Sequence, residues 1–220
     1  MNFIDDPFSN DNRRYLYDKT FYVRAEYSVI ADWIQEGSTV IDLGCGNGAL
    51  MDFLVKQKNV EIQGIESSVS GVEACKALGF KGFVGEIDKK ETYLSYANKQ
   101  FDYAVCNVTI QMVMFPEVLL HEMIRISKNV IISFPNFAHI TNRLELLFKG
   151  RMPQSMLFGY KWYNTGHIHQ LSLKDFECRM KELEMDVKKI EHIGRWKFFA
   201  NILFPNFFSK EAIYLCQKKV

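Results

Sequence analysis

Val40-Ile41-Asp42-Leu43-Gly44-Cys45-Gly46-Asn47-Gly48 decides how this 220-residue chain folds. Apolar, β-branched residues lead into an acid, glycines follow at alternate positions, and Ala49-Leu50-Met51 comes next. The pattern reads as a buried strand, a tight turn and the start of a helix. Glycine lets a backbone turn this sharply and lets a ligand lie against it. The spacing then narrows the ligand. A dinucleotide fingerprint, G-x-G-x-x-G, would place its third glycine at position 49, which is Ala. A P-loop is excluded because no Gly-Lys-Ser/Thr follows. Asp42 would repel a pyrophosphate and suits a cation.

The next two strands carry the same signal. Glu61-Ile62-Gln63-Gly64-Ile65-Glu66 ends in a carboxylate about twenty residues after the turn, where nucleotide-binding α/β folds place the acid that accepts from ribose hydroxyls. Ser67 follows it. The third strand, Gly82-Phe83-Val84-Gly85-Glu86-Ile87-Asp88, also runs into acids. Glu86 suits an adenine amino group, with Ile87 against the ring and Asp88 beside it. Three acids in succession along one sheet edge fit S-adenosylmethionine, which has a sulfonium and an α-ammonium and no phosphate. The expected cofactor contacts are Asp42, Gly44, Cys45, Gly46 and Gly48 from the turn, and Glu66 and Ser67 from the second strand. Glu86, Ile87 and Asp88 add to them, with Asn107 at the end of the fourth strand and Tyr22 from the N-terminal segment. The competing reading is a packing turn surrounded by solvated strand-end acids.

Composition sets the frame. At 220 residues and 48% hydrophobic the chain can form one globular domain, and the expectation is a single domain over 1–220. A net charge of +1 without a basic run argues against nucleic acid as the main partner. The five cysteines form no C-x-x-C pair and read as reduced core thiols of a cytoplasmic protein. Met1 to Asp6 is acidic with no apolar core, so no secretory signal is expected, and no run is long enough to span a membrane. Phe198 to Phe208 is rich in Phe but short and broken by Pro205, and reads as packed against the domain.

From Thr39 onward strand and helix signals alternate, the mark of a doubly wound α/β sheet. Strands are expected at 39–42, 61–65, 83–85, 101–106, 129–133, 185–192 and 211–217. Helices are expected at 49–56, 71–78, after Pro116, at 141–149 and at 173–183, with Ser172 as N-cap. Two regions stand outside this alternation. Residues 1–24, with Arg13, Arg14, Tyr15, Tyr17, Tyr22 and Arg24, read as a lid. Residues 134–170, leaving the carboxyl end of the fifth strand, read as a substrate cap, since open α/β sheets place ligands at that edge. Asn136, Tyr160, Trp162 and Asn164 are the substrate-binding candidates there.

Asp42-Leu-Gly-Cys-Gly-Asn-Gly48 resembles the first motif of class I S-adenosylmethionine-dependent methyltransferases. Gly85-Glu-Ile-Asp88, Thr109-Ile-Gln-Met-Val113, Ser133-Phe-Pro-Asn-Phe137, Lys149-Gly-Arg-Met-Pro153 and Trp162-Tyr-Asn-Thr-Gly-His-Ile-His169 look more specifically like the MetW family of methionine-biosynthesis proteins, as do Phe204-Pro-Asn-Phe207 and Ala212-Ile-Tyr214. The resemblance runs from about Ala25 to about Leu215. It implies a seven-stranded Rossmann-like sheet with its last strand antiparallel, a cofactor over Gly44, Gly46 and Gly48, and S-adenosylhomocysteine as product. MetW-like proteins are linked to homoserine O-acyltransferase, which implies an acyltransferase partner and an accessory role. The N-terminal segment, which a typical MetW lacks, shifts the reading toward a transferase acting on a small metabolite or a sugar or surface-polymer precursor. Enzymes that methylate base amino groups carry Asn/Asp-Pro-Pro-aromatic after the fourth strand, where this chain reads Asn107-Val-Thr-Ile110.

A hydroxyl acceptor must lose a proton, and His is the usual base near neutral pH. His169 ranks first, then His139 and His167, with Tyr163 as a further candidate that orients substrate. His192 reads as structural and His121 as solvated. His167 and His169 lack a third ligand at metal-binding spacing, so no metal is expected. The expected partner is a small molecule, without nucleic acid or membrane; a homodimer is compatible with the sequence.

Overall fold

The computed structural model describes residues 3–4, 14–15, 23–154, 162, 165–194 and 204–219. Its principal sheet has seven strands, in the order β5-β4-β3-β6-β7-β9-β8. The described residues fall into two compact units, 1–107 with 115–131, and 108–114 with 132–220.

In the first unit, β1 (Phe3–Ile4) and β2 (Arg14–Tyr15) form a separate antiparallel ribbon. Then come α1 (Ala25–Trp33), β3 (Thr39–Leu43), α2 (Ala49–Lys58), β4 (Glu61–Glu66), α3 (Val69–Ala77), β5 (Lys81–Val84), β6 (Phe101–Asn107) and α4 (Pro116–Ile126). Strand β7 (Ser127–Pro135) belongs to this unit as far as Ile131. β3 pairs in parallel with β4 on one side and β6 on the other, so Asp42 lies between Gly64 and Val105. Continuous burial of Val40, Ile41 and Leu43 reflects a strand covered on both faces. At the opposite end of the sheet strands, Asp102 accepts from the Thr39 amide and hydroxyl and pairs with Lys128 at 2.8 Å. That Lys128 ion pair, followed by the Thr39 amide, holds the Asp102 carboxyl below the usual carboxylate range.

The second unit continues with α5 (Ile140–Lys149), α6 (Leu173–Glu182), β8 (Met185–Ile193), α7 (Pro205–Phe208) and β9 (Glu211–Lys218). β8 and β9 are antiparallel with Met185 opposite Lys218. The core of this unit is an aromatic cluster. Phe134 stacks on Tyr214 with centroids 5.7 Å apart and packs at 4.8 Å against Phe176, which lies 4.7 Å from Tyr214. Ser172 closes a full capping box with Asp175 at the start of α6, as its sequence position indicates.

The seven expected strands are all present, with the last one antiparallel. The boundaries moved for local reasons. Helix α3 begins at Val69, two residues before the expected start, because the Ser68 hydroxyl caps it by accepting from the Gly71 amide. Strand β5 begins at Lys81 because Lys81 and Gly82 already pair with Gln63 and Gly64. Helices α1 and α7 were not expected from the sequence. Tyr22, Tyr160, Tyr163 and Asn164 lie outside the described residues.

Truncating Phe134 to Ala removes a fully buried ring from the second unit's core. The expected cost is about 3–5 kcal/mol of unfolding free energy, read as a lower urea midpoint with unchanged secondary structure in native buffer.

Candidate functional site

The glycine turn shows why its glycines alternate. Gly44, Gly46 and Gly48 all have positive φ, at 82°, 56° and 79°. A side chain at any of them would be strained, and the residues between them keep ordinary backbone angles. Gly48 closes the turn as the N-cap of α2.

Most amides of this turn are engaged within the protein. Gly44 N and Cys45 N both donate to Ile65 O, at 2.8 and 3.1 Å. Gly46 N donates to Glu66 Oε2 at 2.9 Å, Gly48 N to Cys45 O at 3.0 Å, and Ala49 N to Asn47 Oδ1 at 3.3 Å. A phosphate cradle needs backbone N–H groups free to face the anion. Here the amides of Gly44, Cys45, Gly46, Gly48 and Ala49 are spent on the protein, and two carboxylates stand beside the turn.

Glu66, at the end of β4, is buried, and its other oxygen accepts from Ser67 Oγ at 3.1 Å and Ser68 N at 3.0 Å. It therefore ties the turn to the start of α3, a role that the sequence did not reveal. A carboxylate has about four acceptor positions, so one is left for a ligand hydroxyl. Asp42 is 2% exposed, and no hydrogen-bond donor among the described residues reaches its carboxylate. Burial, followed by the nearby charge of Glu66, pushes its pKa up to about 7. A nearby positive charge would lower that pKa again.

Cys45 packs on the bare Cα of Gly64: a Cβ there would stand 2.5 Å from Cys45 Sγ. Its Sγ lies 3.7 Å from Cys75 Sγ, and that contact, then burial, pushes the Cys45 thiol up. Helix α1 adds residues that the sequence did not single out. Tyr27 is buried and its hydroxyl is pushed up to about 12, first by burial, with Arg24 opposing and the charges of Asp42 and Glu26 adding. The signal was present in the apolar spacing of Tyr27, Ile30, Ala31 and Ile34.

The loop after β5 is held from both ends. Tyr93 donates its hydroxyl to Ile87 O at 2.6 Å, and Asp88 Oδ2 accepts from Phe115 N at 3.1 Å. Glu86 is half exposed and pairs with Lys89. Asn107 is half-buried at the end of β6. All of these lie in the first unit with the glycine turn.

The remaining candidates lie in the second unit. His139 is the N-cap of α5: its Nδ1 faces Thr141 Oγ1 at 2.8 Å and accepts from Thr141 N. Burial, then the charge of Lys210, holds it below the usual imidazole range, against a hydrogen bond to the Phe208 backbone. Its ring is engaged in holding the loop. Asn136 is fully buried, donates to the carbonyls of Asn206 and Ser209 and accepts from Ala138 N, so both ends of its amide are engaged within the protein. Trp162 is exposed. His167 and His169 are half-buried, and His169 Nε2 lies 3.3 Å from Met114 O. A carbonyl can only accept, so Nε2 carries the proton and Nδ1 presents its lone pair. Among the described residues no group of three or more His, Cys, Asp or Glu is arranged to hold a metal, and no helix is long and apolar enough to cross a membrane.

Strand order, glycine turn and strand-end acids together define the class I S-adenosylmethionine-dependent methyltransferase fold. A SAM-dependent methyltransferase of Thermotoga maritima superposes with a TM-score of 0.63 at 16% identity, over 89% of this chain and 88% of its own. The geranyl diphosphate C-methyltransferase of Streptomyces coelicolor, solved with S-adenosylhomocysteine, gives 0.61 at 14% identity over 89% and 80%. At these identities the likeness is one of fold. The sequence is more specific: the profile of the family described as "Methionine biosynthesis protein MetW" matches residues 24–216, and the chain belongs to that family. A bifunctional MetXA/MetW protein of Rhodopirellula baltica is 35% identical over 163 residues, which are 71% of this chain. The chain covers 26% of that relative's length.

Gly64→Ala tests how the turn is supported. The new Cβ would meet Cys45 Sγ, Cys45 Cβ and Met51 Sδ, all within 2.9 Å. The expected loss is about 1–3 kcal/mol in urea unfolding, and Gly79→Ala, where no atom crowds the site but φ is positive, separates crowding from backbone strain.

Proposed function

We propose that the chain binds S-adenosylmethionine in its first unit and transfers the methyl group to a small metabolite or sugar-type precursor, most naturally at a hydroxyl. The observation that carries this is the glycine turn, most of whose amides are spent internally, with the buried Asp42 beside it and no bond to that carboxylate from a donor among the described residues. Such a site rejects phosphate and welcomes a cationic nucleoside. In this reading the cofactor lies over Gly44–Gly48 with Cys45 in the turn, and Asp42 answers its positive end. The remaining acceptor position of Glu66, next to Ser67, takes a ribose hydroxyl. Glu86, Ile87 and Asp88 border the adenine, and Asn107 closes the strand-end edge.

Transfer is an in-line displacement. When bound, S-adenosylmethionine would supply the methyl group, its C–S bond being exchanged for the acceptor's O–C bond with S-adenosylhomocysteine as leaving group; the chain's own part would be to align the acceptor and take its proton. We assign the base to His169 Nδ1, because its Nε2 is committed to Met114 O and no hydrogen bond from a described residue engages Nδ1. His167 and Trp162 are assigned to the acceptor side. Five free cysteines suit a reducing cytoplasm.

A second reading is favoured by one observation. The Rhodopirellula baltica relative joins a MetW part to a MetXA part in one polypeptide. Fusion of this kind supports an accessory role in which the chain, with S-adenosylmethionine bound, tunes an acyltransferase partner. Stimulation of a homoserine O-acyltransferase on mixing, without any S-adenosylhomocysteine release, would favour it over transfer.

Titration calorimetry tests the shared premise. S-adenosylmethionine should bind, and the affinity should fall by up to about tenfold per pH unit below pH 7, because a protonated Asp42 must lose its proton before it can face a cation. Above pH 7 the carboxylate is already ionised and that dependence should flatten. Asp42→Asn should weaken binding and abolish the slope; unchanged binding in that variant would contradict the assignment. His169→Ala should bind the cofactor normally and lose about a hundredfold in turnover. Full turnover would remove it as the base.

A further inference from the structure

Four residues after β6 hold two costly features side by side. Val108, which directly follows Asn107, has φ of +51°. A β-branched residue in the left-handed region is a genuine outlier, and such strain persists only where the surroundings over-determine it. They do so here. Val108 N donates to both the carbonyl and the hydroxyl of Ser133, each at 3.0 Å, and Val108 O accepts from Gln111 Nε2 at 2.9 Å.

The second feature is the other end of that amide. Because Val108 O can only accept, the Gln111 nitrogen must face it, and Oε1 points away. Gln111 is 1% exposed, and Oε1 has no hydrogen-bond donor among the described residues. A buried orphan acceptor costs stability, as strain does. Native chains keep both together where a ligand needs them. The location agrees, since the carboxyl ends of strands are where open α/β sheets bind ligands. The same residue also positions His169: Gln111 O accepts from Ile168 N at 2.8 Å and from His169 N at 3.0 Å.

We propose that Gln111 Oε1 is the hydrogen-bond anchor for the methyl acceptor, and that the acceptor is a small molecule with two neighbouring donor groups, a diol or an amino alcohol. This rests on the transferase reading above. Two donors are needed because the methylated hydroxyl gives its proton to His169 Nδ1, so the bond to Oε1 comes from a second amine or hydroxyl. The strained Val108 fixes the amide so that the oxygen, and not the nitrogen, meets the ligand.

The test uses the ¹⁵N-labelled 220-residue chain saturated with S-adenosylmethionine, after calorimetry has shown that the cofactor binds; failure at that stage overturns the transferase reading and the acceptor role with it, whereas the failures named below, with the cofactor bound, overturn the acceptor role alone. The probes are L-homoserine and D-glucosamine. The Gln111 side-chain amide signals, assigned by their loss in Gln111→Leu, should shift with at least one probe, and that probe should yield S-adenosylhomocysteine. Gln111→Leu should raise the KM for that probe about tenfold or more with unchanged cofactor affinity. Gln111→Glu should have its KM for the probe closest to wild type at acid pH, where its protonated oxygen donates to Val108 O and the other accepts from the probe, the ratio to the wild-type KM at the same pH being the readout. Should Gln111→Leu fail to fold, that ratio decides alone. Amide signals indifferent to both probes, a wild-type KM in Gln111→Leu, or a Gln111→Glu variant whose KM ratio to wild type does not fall toward acid pH overturns the proposal.

Discussion

The bond from Gly46 N to Glu66 Oε2 is the constraint around which the first unit is built. It joins the loop after β3 to the end of β4, and the same carboxylate accepts from Ser67 Oγ and Ser68 N at the start of α3. Ile65 O takes two further amides of the turn. With most of its backbone donors committed in this way, the turn stands beside two buried carboxylates.

The same arrangement explains the state of Asp42. It sits in β3 between Gly64 and Val105, buried beside Glu66 and lacking a described donor. Two carboxylates in one buried region cannot both hold their charge cheaply, and the more deeply buried one gives way. Burial and the neighbouring Glu66 charge together raise the Asp42 pKa to about 7.

Much of this was legible in the sequence. The alternating strand and helix signals and the glycine spacing pointed to the class of the fold, and the acids after the first three strands of the sheet pointed to the edge where a ligand would be sought. What escaped the sequence depended on contacts between distant residues. Ser68 starts α3 early through its side chain, which a periodicity cannot show. Helix α1 escaped because Arg24 is no capping residue and makes no side-chain cap bond, so the helix has no written start. His139 looked like chemistry and is a helix cap, a role for which Ser, Thr, Asp or Asn would be the recognisable sign. Gln111 looked like part of a motif and nothing more, because an orphaned oxygen exists only once the chain is folded.

The most direct test of the central claim is a crystal structure of the protein with S-adenosylhomocysteine. The expected result places the ribose hydroxyls on Glu66, the adenine against Ile87 and the amino group of the homocysteine tail on the Asp42 side of the turn. A structure in which the nucleoside lies away from the Gly44–Gly48 turn, or touches it without reaching either carboxylate, would contradict the account.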